Sequence, residues 1–440
     1  MAARRRSAAD HSRDHHPDVH LNLSVRGTTP SATLAIQERC AAMRAERRDV
    51  YRLGLGQSPF PVPRPVVEEL RVNAHQKDYL PVRGLPALRE AVAEYNIRSQ
   101  GVPRTADDVL IGPGSKELMF ILQLVYYGEI VIPSPAWVSY APQARIAGRQ
   151  IHWVHTRRDN GWLLTPAELE AVCRDDPDRP RVVLLNYPSN PTGGSFTADQ
   201  LEALADVART YRVVVLSDEI YGELTFSGQH VSIARFYPEG TIISSGLSKW
   251  CGAGGWRLGT FSFPSTMDWL LEAMATVASE TYTSTSAPIQ YAAVQAFRGS
   301  ESLEQYLWLA RRILGALGAW SAARLEAAGA SVLRPAGAFY LFPDFSPLAE
   351  KLRARGVTNS RTLCEKLLEE TGVATLPGTE FGRPANELTL RASLVDFDGA
   401  KAMSSLEVVA RDAPVTEEFL RANCGHTQHA IDLMADWVAR

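Results

Sequence analysis

Between about residue 84 and residue 300 the chain alternates short, uninterrupted apolar runs with segments of helical period, and a polar cluster follows each run directly. The apolar runs are residues 182–185, 213–216 and 241–243. Runs without polar alternation suit strands buried on both faces of a sheet. Leu85, Leu88, Val92 and Tyr95 recur at helical spacing, as do Leu201, Leu204 and Tyr211, with Thr197 placed as an N-cap. Alternating strands and helices predict an α/β domain with a mostly parallel sheet flanked by helices. The polar clusters are Asn186-Tyr187-Pro188, Ser217-Asp218-Glu219 and Ser244-Ser245-Gly246. In open α/β sheets ligands sit at the carboxyl ends of the strands, so the chain carries its polar chemistry where such a fold builds a site. Beyond about residue 305 the pattern changes. A long amphipathic helix is predicted over 307–328, strands over 339–342 and 388–392, and a helix near 364–370, which together suit a smaller α+β domain.

Composition narrows the class of protein. With 440 residues, 45% hydrophobic and 22% charged, the chain is long enough for two packed domains and too apolar for a disordered one. A net charge of −3 argues against a nucleic-acid binder. No apolar run reaches the length of a membrane span. Residues 1–30 are rich in Arg, His and Asp and are expected to form a disordered tail. No apolar segment follows Arg4-Arg5-Arg6, so no signal peptide is expected. Cys40, Cys173, Cys251, Cys364 and Cys424 are scattered without zinc spacing, which suits reduced thiols in the cytoplasm. His15, His16, His426 and His429 form no convincing metal cluster, and no metal site is expected.

Three segments carry the chemistry. The first runs from Ser244 through Ser248-Lys249 and a glycine-rich stretch to Arg257. A lysine in such a place can capture a carbonyl cofactor once its amine is neutral, and the arginine can grip phosphate; a solvated lysine in a turn fits the residue type equally well. The second, Asn186-Tyr187-Pro188-Ser189-Asn190-Pro191-Thr192-Gly193-Gly194, is by itself also an ordinary Asn-Pro turn. The third, Ser217-Asp218-Glu219-Ile220-Tyr221, is by itself also a strand end capped by acids. A fourth stretch, Gly112-Pro113-Gly114-Ser115-Lys116, precedes an apolar helical run. Its backbone N–H groups offer an anion site, without the spacing of a P-loop.

In this order and at these spacings, the segments resemble the class I/II aminotransferase family, pyridoxal-phosphate enzymes of fold type I. The resemblance covers about residues 45–400. It implies a large domain with a mostly parallel, seven-stranded-type sheet and a smaller α+β domain. The boundaries it implies are 31–75 for an N-terminal segment of the small domain, 76–305 for the large cofactor-binding domain and 306–440 for the small C-terminal domain. Lys249 then resembles the Schiff-base lysine and proton shuttle. Asp218 resembles the partner of the pyridine nitrogen, and Tyr221 and Asn190 the residues that bond the ring hydroxyl oxygen. Ser115, Lys116, Ser248 and Arg257 fall where the phosphate is held. Trp137 corresponds to the aromatic residue that stacks on the ring, and Tyr79 to the tyrosine that reaches the phosphate of the neighbouring subunit, which implies a homodimer. Arg391, in a strand-like run where a lone charge is costly, resembles the arginine that binds the amino-acid carboxylate, with Asn190 and the backbone of Gly56 beside it.

The implied activity is a transaminase that moves an amino group between an L-amino acid and a 2-oxo acid by a ping-pong route. A lyase, cyclising synthase or oxidase on the same fold is the alternative, because the outcome depends on which Cα bond is broken. A ligand sensor fused to a DNA-binding module is disfavoured by the short stretch before residue 45. Two features of dicarboxylate-selective members are missing. Ser279 stands where one group carries an arginine from the neighbouring subunit, and Ser115 where another carries a lysine. Arg83, near Tyr79, is a possible replacement; otherwise it is a solvated arginine.

Overall fold

A computed structural model of the chain describes Asn22, residues 24–26 and residues 32–440. The tail expected over 1–30 otherwise lies outside the described residues. The centre of the molecule is a seven-stranded sheet. Across it the strands run Val109–Gly112, Gly259–Ser262, Thr241–Gly246, Val214–Asp218, Arg181–Asn186, Glu129–Ser134 and Ile151–His155. Gly259–Ser262 alone is antiparallel to both of its neighbours; the pairs beyond it are parallel. The α/β expectation therefore holds.

The runs 182–185 and 241–243 lie within strands, the run 213–216 does so from Val214 on, and each strand continues into its polar cluster. Asn186, Asp218 and Gly246 are the last residues of their strands. The parallel register pairs Asn186 with Asp218 and Asp218 with Ser244. Polar side chains from three strands thus stand in a row at the carboxyl edge. Beneath them the strands are apolar on both faces. One face packs against Leu118, Leu122, Leu270 and Met274, and the other against Leu201, Leu204 and Ala208. Each fully buried leucine contributes about 1.5–3 kcal/mol, so the sheet holds the polar row on a stiff base.

The flanking helices start and stop for local reasons. Ala198–Thr210 begins at Thr197, whose hydroxyl accepts the Gln200 N–H while the Gln200 side chain accepts the Thr197 N–H. Pro86–Gln100 ends at Gly101, which takes the left-handed conformation at φ 65°. The helix expected over 307–328 is Glu301–Ala327, because the Ser300 hydroxyl caps it six residues earlier than the periodicity suggests. In the C-terminal region Leu376–Pro377, Leu390–Ser393 and Tyr340–Leu341 form a small antiparallel sheet. The N-terminal Tyr51–Arg52 pairs with Val373–Ala374 of the same region. Ser360–Thr371 covers the helix expected near 364–370, and a further helix, Glu417–Ala439, ends the chain. Among the described residues no helix is long and apolar enough to cross a membrane, and no group of three or more His, Cys, Asp or Glu is placed to hold a metal ion.

Gly259 marks the tightest join between sheet and site. A Cβ there would lie 2.1 Å from the Ser115 nitrogen and 2.4 Å from the Gly114 carbonyl carbon. Neither backbone atom can give way without moving the helix start. Gly259→Ala is expected to cost about 1–3 kcal/mol through overpacking, seen as a lower thermal-melt midpoint than that of the parent protein.

Candidate active site

The polar row faces a cleft of about 400 Å³ whose lining includes Gly56, Trp137, Asp218, Tyr221, Lys249 and Arg257. Asp218 is buried, 4% exposed. Its Oδ2 accepts the Tyr140 hydroxyl at 2.6 Å, whereas its Oδ1 is buried without a hydrogen-bond partner. Burial raises its pKa to about 6, against the lowering effects of the Tyr140 bond and the Lys249 charge. Asn186, one strand over, donates to the Asp218 carbonyl at 2.9 Å and accepts the Asn190 N–H at 2.7 Å. The strand-end Asn therefore fixes the loop that carries Asn190.

Lys249 lies just past the end of Thr241–Gly246. Its Nζ donates to the Gly56 carbonyl at 2.7 Å and sits 5.8 Å from the centre of the Tyr221 ring. Burial first, and repulsion from Arg391 second, lower its pKa to about 8, despite the pull of Asp218. Burial also pushes the neighbouring Cys251 thiol well above its usual range, so no thiolate competes with the amine. The Tyr221 and Tyr340 hydroxyls share a hydrogen bond of 2.6 Å, and burial raises the pKa of both.

At the other end of the cleft Ser115 is the first residue of the helix Ser115–Val125, after Gly114 at φ 92°. A Cβ on Gly114 would strike the Arg257 guanidinium at 2.3 Å. Arg257 is itself held in the left-handed region, with Nη1 donating to Gly254 O and Nη2 to Pro113 O. Ser248 lines the same end. The Lys116 ammonium lies 5.6 Å from the centre of the Trp137 ring, and its pKa is lowered by burial and by Arg257. The structure thus gathers helix N–H groups, two hydroxyls and two cations at one place, the arrangement that binds an anion.

Arg391 is almost wholly buried, yet it makes no ion pair among the described residues. Nη1 donates to Asn190 Oδ1 at 3.1 Å and Nη2 to Gly54 O at 2.6 Å; Nε is buried without a partner. The rings of Tyr340 and Phe381 lie 4.9 and 5.2 Å from its guanidinium carbon.

Of the residues singled out in the sequence, Tyr79, Arg83 and Ser279 stand apart from this constellation. Tyr79 is 90% exposed, so it is no ordinary buried tyrosine, and it does not line the cleft of its own chain. Arg83 is not a solvated arginine, because it pairs with Glu272 and donates to Asp107 O. The Ser279 hydroxyl is spent on the Thr276 carbonyl. Sequence reasoning missed Tyr140 and Tyr340 and gave Asn186 no role. Tyr140 follows Trp137 by three residues, a spacing that could have flagged it. Tyr340 lies inside an apolar run and gave no signal.

The electrostatics can be tested on cofactor-free protein. A pKa of about 8 leaves the Lys249 amine about half neutral at pH 8. Acetic anhydride labelling of Lys249, followed by peptide mass spectrometry, should therefore reach half its maximal rate near pH 8. In Arg391→Gln a repelling cation is gone, the ammonium is less penalised, and the midpoint should move to higher pH.

Residues 48–398 match the sequence model described as aminotransferase class I and II. An aspartate aminotransferase of Geobacillus stearothermophilus is 35% identical over 388 residues, covering 86% of this chain and 96% of that protein. An aspartate/prephenate aminotransferase of Thermus thermophilus is 34% identical over 367 residues, with coverages of 82% and 91%. Among solved structures, the Thermus thermophilus aspartate aminotransferase with maleate superposes with a TM-score of 0.80 at 29% identity, covering 95% of this chain and 99% of that one. With the fold, the cleft and these matches in agreement, the chain belongs to the class I and II aminotransferases and is a transaminase of fold type I.

Proposed function

We propose that the protein exchanges the amino group of an L-amino acid with a 2-oxo acid, using pyridoxal 5'-phosphate held by Lys249. What carries this reading is one cleft that holds a lysine whose pKa is lowered to about 8 and a buried carboxylate with one oxygen unpaired, with a buried arginine directly behind its lining residue Asn190 that has no acid partner among the described residues. The residues fit a phosphorylated pyridine aldehyde. The unpaired Asp218 Oδ1 suits a ring N–H, and the Ser115 helix start with Ser248, Lys116 and Arg257 suits a phosphate dianion. The half-buried Trp137 offers a ring face to a flat heterocycle, and Asn190 and Tyr221 offer donors to its hydroxyl oxygen. When bound, the cofactor supplies an electron sink for the bond broken at the substrate Cα.

The chain's own residues do the rest. Arg391 takes the substrate carboxylate, aided by Asn190 and the Gly56 backbone, which orients the Cα hydrogen toward Lys249. Lys249 removes that proton and returns one to the product, a role suited by an amine that titrates near working pH. The keto acid of the first half-reaction leaves before the second substrate enters, which gives ping-pong kinetics. We take residues 76–305 as the large domain and 31–75 with 306–440 as the small one, so that the substrate bridges them through Lys249 and Arg391. Their closure on the substrate would exclude water. The exposed Tyr79 supports a homodimer in which it reaches the phosphate of the other subunit. The five buried, unpaired cysteines support a cytoplasmic location.

The direct test is a panel of amino donors against 2-oxoglutarate, pyruvate and oxaloacetate. Lys249→Ala is expected to lose turnover and the visible absorption of the bound cofactor; an intact band would remove Lys249 from its role. Arg391→Ala removes a charge-assisted contact worth roughly 2–5 kcal/mol, so kcat/KM for amino acids should fall about 30-fold or more. Sedimentation should show a dimer, and a fully active monomer would refute the shared site.

A further inference from the structure

The family match ends at residue 398, and the helix Glu417–Ala439 lies beyond it. This helix nonetheless reaches the site through one buried carboxylate. His426 donates from Nδ1 to Asp396 Oδ2 at 2.9 Å. The same carboxylate accepts the Arg52 backbone N–H at 2.8 Å and two of its guanidinium N–H groups at 3.2 and 3.4 Å. The Tyr51 ring closes the group, 4.6 Å from the His426 ring and 5.5 Å from that of His429.

The clasp lies at one end of a short strip of backbone. Arg52 is bound by Asp396, and the Leu53 carbonyl accepts the Ser393 N–H at 2.7 Å. The Gly54 carbonyl accepts from Arg391 at 2.6 Å, and the Gly56 carbonyl accepts from Lys249 at 2.7 Å. Within five residues the strip meets the clasp, the Arg391 strand, and the side chains of Arg391 and Lys249. Asp396 lies five residues after Arg391, so the clasp also pins the far end of that strand's exit.

We propose that Asp396, clasped by Arg52 and His426, is a positioning residue that sets the register of residues 52–56 against Arg391 and thereby tunes affinity for the substrate carboxylate. Arg52 and His426 are each about half exposed. The two cations face water and add little to global stability, and in Asp396→Asn the amide oxygen still accepts the Arg52 backbone N–H as the buried carboxylate does, so substitutions in the clasp act on register more than on folding. When it is loosened, the Gly54 carbonyl drifts from Arg391 and the guanidinium loses one of its two fixed acceptors. Substrate binding then weakens, while the chemistry after binding keeps its rate.

The proposal rests on the carboxylate role of Arg391, and the experiment separates the two. Holoenzymes carrying Asp396→Asn, His426→Gln, Arg52→Ala or Arg391→Lys are compared with the parent, using L-aspartate as donor and 2-oxoglutarate as acceptor. Loss of about one hydrogen bond's worth of orientation predicts a KM for L-aspartate raised about fivefold in Asp396→Asn. A smaller rise in the same direction is expected for His426→Gln and Arg52→Ala. In all three, kcat, cofactor absorbance and melting midpoint should stay near the parent values. If Arg391→Lys raises KM while none of the clasp variants does, the clasp is structural only and the proposal fails. A fall in kcat together with loss of cofactor absorbance in the clasp variants overturns it as well. Should the parent not turn over L-aspartate, the same comparison is made with the donor from the panel that it does use; should Arg391→Lys leave the donor KM unchanged, the role given to Arg391 falls and this proposal falls with it.

Discussion

A guanidinium buried without a carboxylate is among the costlier things a fold can hold, and among the described residues Arg391 is held that way. Breaking a buried pair by removing its acid typically costs about 3–5 kcal/mol, because the remaining charge stays uncompensated. Here the compensation is only partial. Two N–H groups find neutral acceptors on Asn190 and Gly54, two aromatic rings lie alongside, and Nε finds nothing. Neutral acceptors and ring faces return part of the lost solvation, and an incoming carboxylate can return the rest. On the proposed role of Arg391, part of the binding free energy of a substrate acid would come from completing this unfinished network.

The same charge reaches across to Lys249. Burial does most to lower the lysine's pKa, and Arg391 is the largest of the charge effects. Asp218 works in the opposite direction on Lys249, while Lys249 in turn helps to hold the Asp218 pKa down to about 6. Three ionisable groups are therefore balanced within one low-dielectric cleft, and each has a value that none would show in water. A substrate carboxylate that neutralises Arg391 would relax the repulsion on Lys249. Carboxylate binding and amine basicity are in this way coupled through space, without any moving part.

Much of this was legible in the sequence because buried parallel strands announce themselves as unbroken apolar runs. Val182, Val214 and Ile242 are fully or almost fully buried, and the polar residues beyond them could go only to the carboxyl edge. Lys249, Asp218, Asn190 and Arg257 could be picked out because each stands in a dense local motif. Gly259–Ser262 escaped because it is short, glycine-led and continuous with the loop that carries Lys249. The helix Glu301–Ala327 was placed late because its start is set by a serine cap rather than by apolar spacing. Tyr340 was invisible for a different reason. Its partner Tyr221 lies 119 residues away, and an apolar run gives no hint that one hydroxyl in it will find another. Tyr140 and Asn186 likewise gain their meaning only from the register that sets them beside Asp218.

That contrast follows from how the two parts of the site are built. The end of the cleft around Lys249 and Asp218 is made from successive strand ends of one sheet, so chain order and spatial order coincide. The surroundings of Arg391 are assembled from residues 52–56, Asn190 and Tyr340, which share no local pattern and are joined by long-range hydrogen bonds. Chemistry common to a whole family can sit on the first kind of framework, where a short motif fixes geometry. Selection among substrates is better served by the second, where, on the proposal made for Asp396, a distant change in register would alter the surroundings of Arg391 and leave the strand ends untouched.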